Sequence, residues 1–119
     1  MFATFLQVAL GGAIGASARY LVVLSVAFPF GTMLVNVVGS FLMGLAFVTL
    51  VEKGLDRWTI MLMTGILGGF TTFSAFSLDA YVLYEANRIG AAFGYVLASV
   101  VLSVSALALG VIVMKTVHG

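Results

Sequence analysis

Cysteine is absent from the chain, which excludes disulfides, thiolate metal sites and thiol catalysis. Charge is scarce: 8% of residues are charged, against about 25% in a soluble domain. Histidine occurs once, at His118 in the tail, and there is no Gly-x-Ser-x-Gly elbow. No two carboxylates share an apolar run, so the parts of acid–base catalysis are missing and the chain reads as a non-enzyme. A net charge of +1 without a clustered basic patch argues against nucleic acid as a partner.

What remains is apolar. Of 119 residues, 63% are hydrophobic, and the mean hydropathy is +1.27. A membrane span takes roughly 20 mainly apolar residues, so about four spans fit and little is left for a soluble domain. The chain reads as one all-α integral membrane domain, 1–119, with helices at about 3–27, 32–51, 58–84 and 90–116. Pro29 and Gly31 punctuate the first turn. The cluster Glu52, Lys53, Gly54, Asp56 and Arg57 predicts a solvated loop with Trp58 at the membrane interface, and Glu85, Asn87 and Arg88 predict another. The segment Met1–Leu10 lacks a basic leader, and its apolar run exceeds the roughly 7–15 residues of a signal peptide, so it reads as a retained helix.

Four spans put both ends on one side. That side carries Lys53, Arg57 and Lys115; the other carries Arg88, with Arg19 near its boundary. The positive-inside rule therefore has almost no bias to act on. Such a chain permits insertion in both orientations, and two opposed copies would form an antiparallel dual-topology homodimer, an inverted repeat made from separate chains.

Three patterns bear on function. Gly11/Gly15, Gly65/Gly69 and Gly90/Gly94 are GxxxG pairs, which read first as close helix packing. Helix 2 carries Thr32, Asn36, Ser40 and Gly44, and helix 4 carries Tyr95, Ser99 and Ser103, each set at i,i+4 spacing on one face. Such stripes serve either as interhelical hydrogen bonding or as the wall of a pore; two stripes of neutral donors favour the pore. The third pattern is the segment Gly65–Thr72, whose glycines and paired threonines are poor helix material, so the third helix is expected to break in mid-membrane. Exposed carbonyls at a break suit a hard cation, and the amides opening the next half-helix suit an anion. Phe73 and Phe76 share one face just beyond it; they are either ordinary packing or rings whose positive edges line an anion path. Arg19 is the one charge well inside an apolar run, and either snorkels or faces a wet vestibule. Asp79 is either its ion-pair partner or a helix-face residue near water.

Gly11–Tyr20, then Gly31–Phe41 with its Gly-Thr-x-x-x-Asn, then Gly68-Gly69-Phe70-Thr71-Thr72-Phe73-Ser74-Ala75-Phe76-Ser77 resemble, in order, the three signatures of the Fluc (CrcB) fluoride channels. The resemblance covers essentially the whole chain. It implies a fluoride-selective channel that exports fluoride passively and reduces its toxicity, placed in the inner or plasma membrane among lipid. It further implies an antiparallel homodimer with two pores and a structural sodium ion on the two-fold axis, held by the carbonyls of Gly68 and Thr71. By the same resemblance Phe73, Phe76, Asn36 and Ser74 would meet fluoride, Tyr95, Ser99 and Ser103 would form a polar track, and Arg19 would sit in the vestibule. The chain departs from the usual pattern at Ala75 and Leu107, where hydroxyl residues are common, and at Asp79, where Glu is usual. A small multidrug-type antiporter of this length would need a carboxylate in helix 1, and there is none. A membrane scaffold without transport would leave the broken helix without a use.

Overall fold

A computed structural model describes residues 1–52 and 58–118. The loop residues Lys53, Gly54, Asp56 and Arg57 lie outside the described residues. Among the described residues, four helical stretches are long and apolar enough to cross a membrane: Phe2–Ser25, Phe30–Glu52, Ile60–Glu85 and Ile89–His118. Their ends differ from the sequence-derived limits by one or two residues. The first span is α1 (Phe2–Ser25); the second is α2 (Phe30–Ala46), opened by Pro29 and continued by a π-helical turn, Phe47–Glu52. Proline suits a helix start, where its missing N–H has no intrahelical partner to lose.

The third span is composite. A π-helical stretch, Ile60–Leu67, runs into the single turn α3 (Gly68–Phe70), and after two extended residues α4 (Phe73–Glu85) begins. The π-helical stretches had no signal in the sequence pattern. α4 ends in a turn that returns the chain. Asn87 takes φ 62°, its N–H reaches the Tyr84 carbonyl at 3.1 Å, and the Arg88 N–H reaches that of Leu83 at 3.0 Å. Asparagine tolerates this left-handed geometry better than most side chains. The fourth span is α5 (Ile89–His118). Its 30 residues rise about 45 Å, which accounts for the long dimension of the molecule, 48 Å.

The spans are held by backbone-to-backbone approach, as expected where lipid removes the hydrophobic drive between helices. α1 lies on the first half of the third span through the two facing pairs Gly11/Gly15 and Gly65/Gly69. A Cβ on Gly15 would stand 2.0 Å from the Ile66 carbonyl oxygen, and one on Gly69 would stand 2.8 Å from that of Gly12. α2 lies on α5 through Gly44 and Gly110, where an added Cβ would meet the Leu107 and Phe41 carbonyls at 2.2 Å each. Gly90 and Gly94, the third GxxxG pair, have open space beside them, so within this chain they are not a packing seam. Phe76, Leu83, Ala92 and Tyr95 form a cluster that joins α4 to α5. The outward faces are apolar, with Phe2, Leu10, Leu21, Phe93, Leu97 and Val104 exposed. In water such a surface would aggregate; in lipid it is solvated.

Gly15→Ala should destabilise the fold by about 1–3 kcal/mol, since the added methyl meets fixed backbone. Gly94→Ala, into open space, should stay within about 0.5 kcal/mol. Unfolding of the two purified variants in mixed micelles with increasing SDS reads the difference.

Candidate functional site

The break falls at Thr71 (φ −89°, ψ 158°) and Thr72 (φ −153°, ψ 124°), at the C-terminal edge of the glycine-rich segment. Two extended residues interrupt the helical ladder, and their polar groups need partners inside the protein. Asn36 of α2 supplies two: the Thr72 N–H donates to its Oδ1 at 2.7 Å, and its Nδ2 donates to the Thr72 carbonyl at 3.0 Å. The Thr72 amide is the one that a continuous helix would direct to Gly68, so the Gly68 carbonyl is released. The Gly69 carbonyl instead accepts Nε of Arg19 at 3.1 Å. Thr72 Oγ1 caps α4 by accepting the Ala75 N–H at 3.1 Å. Gly39 makes room for the break: a Cβ there would stand 2.3 Å from Thr71 Cγ2.

Beside the break lies a cavity of about 400 Å³ between α2, the break and α5. Asn36, Ser40, Thr71, Thr72, Ser99 and Ser103 bring polar groups to its wall, and no charged residue among the described ones lines it. The hydroxyls of Ser99 and Ser103 are buried with no hydrogen-bond partner among the described residues. In a helix a serine can satisfy itself on the preceding turn; these two do not. Phe73 and Phe76 border the same cavity with ring centroids 5.4 Å apart and planes inclined at 56°. Phe76 is buried, whereas Phe73, the first residue of α4, is 77% exposed. Val100, Val104, Leu107 and Met43 make the remaining wall apolar.

The structure thus brings Asn36, Phe73, Phe76, Ser99 and Ser103 to one cavity, together with Thr71 of the expected cation pair. Four residues of the expected set are not on that wall: Gly68, which opens α3 ahead of the break, and Ser74, Tyr95 and Arg19. Ser74 is exposed, 3.4 Å from the Thr72 hydroxyl, and is not on the cavity wall. Tyr95 sits behind Phe76, ring centroids 5.4 Å apart, and lines a second cavity of about 300 Å³ instead. Arg19 is on the α1 side, bonded to the break itself. Asp79 is not the ion-pair partner of Arg19; Oδ2 accepts the Tyr95 hydroxyl at 3.3 Å. Ser40, singled out only as one of a stripe, joins the cavity, and Gly39 beside it was missed, since its role depends on which helix it meets.

The profile of the family described as CrcB-like protein, Camphor Resistance (CrcB), matches residues 6–111. Among curated proteins, the fluoride-specific ion channel FluC of Cereibacter sphaeroides (strain ATCC 17029 / ATH 2.4.9) is 56% identical, covering 97% of either chain. That of Paracoccus denitrificans (strain Pd 1222) is 51% identical over 92% of this chain and 93% of its own. That of Caulobacter vibrioides (strain NA1000 / CB15N) is 46% identical over 94% and 95%. The matched region contains the break, its clamps and the whole cavity wall, and the chain belongs to the CrcB family.

Proposed function

We propose that this chain is a fluoride-conducting channel, and that the neutral, donor-lined cavity beside the helix break is part of its anion path. The observation that carries this reading is the pair of buried, unpartnered hydroxyls of Ser99 and Ser103, two residues on the wall of an uncharged cavity rimmed by Phe73 and Phe76. The naming of FluC relatives as fluoride-specific channels supports the choice of anion. Fluoride is small, strongly hydrated and a strong hydrogen-bond acceptor. It must exchange its water for donors that come in sequence, none so strong that the ion stays. Hydroxyl groups, an amide and positive ring edges meet that need. Chloride, larger and a weaker acceptor, gains less from the same donors for a comparable loss of water.

Phe73, on the rim of the cavity, is largely exposed, so one chain leaves that side uncovered. In the assembly proposed, a second antiparallel copy covers that side, giving two pores that release fluoride passively down its gradient from the cytoplasm across the plasma or inner membrane. At the junction the released carbonyl of Gly68 and the extended carbonyl of Thr71 suit a sodium ion, because hard cations take oxygen ligands. Two copies would offer four such oxygens. The ion would supply charge compensation for converging carbonyl dipoles and hold the two breaks together.

Liposomes reconstituted with the protein, valinomycin present, should release fluoride rapidly and chloride negligibly when followed by ion-selective electrodes. Absence of fluoride release from a well-folded dimer would overturn the channel reading. Phe73→Ile and Phe76→Ile should each nearly abolish the flux. Ser99→Ala and Ser103→Ala should each slow it by about tenfold, the equivalent of one hydrogen bond of about 1.4 kcal/mol. Prolonged exchange of sodium for N-methylglucamine should diminish flux and dimer yield together, and unchanged flux would remove the sodium from the proposal.

A further inference from the structure

We infer that the backbone of Thr72 fixes the orientation of the Asn36 carboxamide so that the cavity is offered an N–H, making the helix break itself a selectivity device for anions. The inference rests on the cavity being the anion path. A carboxamide can ordinarily turn over, exchanging oxygen for nitrogen, and the two ends are hard to tell apart. Here the partners settle which end is which. The Thr72 amide can only donate, so the atom 2.7 Å from it must be the oxygen; the Thr72 carbonyl can only accept, so the atom 3.0 Å from it must be the nitrogen. Turning the carboxamide over would set N–H against N–H and oxygen against oxygen, losing two hydrogen bonds and adding two repulsions.

Nδ2 carries two hydrogens, and one is spent on Thr72. The other has no partner among the described residues, and Asn36 lines the cavity. The oxygen is already engaged by the Thr72 N–H, so the stronger free group is the donor. Other side chains do not reproduce this. Aspartate keeps the acceptor for the Thr72 N–H but has no N–H and brings a negative charge; serine is too short to reach both Thr72 groups; glutamine adds a methylene where two fixed backbone atoms set the reach. In this role Asn36 both contacts the ion and is positioned by the break, which ties the order of Thr71–Thr72 to the sign of the ion admitted.

The test combines hydrogen–deuterium exchange of the Thr72 amide with fluoride efflux, using the full-length reconstituted protein, Asn36→Ser and Asn36→Asp. The Thr72 amide should be protected in the wild type and in Asn36→Asp, and should exchange about tenfold faster in Asn36→Ser, the effect of one lost hydrogen bond. Fluoride flux should fall at least about tenfold in both variants. The Asp variant keeps the contact to the Thr72 amide while it removes the donor and adds a negative charge, so undiminished flux there is incompatible with an N–H of Asn36 serving the anion. Wild-type flux in Asn36→Asp overturns the inference, and so does a protected Thr72 amide in Asn36→Ser. If the wild type releases no fluoride, the channel reading fails, and the exchange measurement still decides whether Asn36 is clamped.

Discussion

Everything else in this protein answers to the unpaired backbone at Thr71–Thr72. In hydrocarbon an unsatisfied amide or carbonyl costs several kcal/mol, so an interrupted helix persists only if neighbours take over the lost bonds. Asn36 takes over both groups of Thr72, Arg19 takes the Gly69 carbonyl, and the Thr72 hydroxyl caps the next helix. These partners come from α1, α2 and the break itself, so the spacing of all three is bound to one point in the membrane. The glycines follow from that. α1 must lie close enough for Arg19 to reach, which the Gly11/Gly15 and Gly65/Gly69 contact permits, and α2 must lie close enough for Asn36, which Gly39 permits.

The break also explains the composition of the cavity. Interrupting the ladder releases a carbonyl at Gly68 on one side and opens a helix N-terminus at Phe73 on the other, so groups of opposite polarity arise within a few residues without any ionised side chain. A charged side chain there would bind a counter-ion firmly and hold it. A conduit works better with several neutral contacts of moderate strength, and Ser40, Ser99 and Ser103 are of that kind. Arg19, the one cation of the region, is occupied with the Gly69 carbonyl and lies apart from the cavity wall.

Much of this was legible in the residues, and the remainder was not, for a definite reason. Periods and runs report what a single helix prefers, so the spans, the weakness of Gly65–Thr72 and the polar faces of α2 and α5 could be read directly. Which helix each face meets is a tertiary matter. Gly90/Gly94 and Gly11/Gly15 have the same spacing, yet one pair faces open space and the other a neighbouring backbone. Gly110 bears as closely on α2 as Gly44 does on α5, and no periodic signal marked it. Asp79 was open between an ion pair with Arg19 and a helix face near water, and only the packing of α4 on α5 brings the Tyr95 hydroxyl to it.

The apolar part of the cavity wall sharpens the action of the polar part. Val100, Val104, Leu107 and Met43 keep the local dielectric low, and there a neutral donor attracts an anion more strongly than it would in water. The same apolar surface offers nothing to a desolvated ion, so a small anion is confined to the few positions where donors meet it. Ser99 and Ser103 are one helical turn apart, about 6 Å, a distance over which an ion can leave one hydroxyl only as it approaches the next. Substituting the leucine at 107 with a serine would extend that series by a further turn, but its carbonyl is the surface on which Gly44 packs. The backbone at 107 thus carries the contact with α2 while its side chain lines the cavity, and in the proposed channel this divides the two demands on α5: its backbone holds α2, and its side chains set the character of the path.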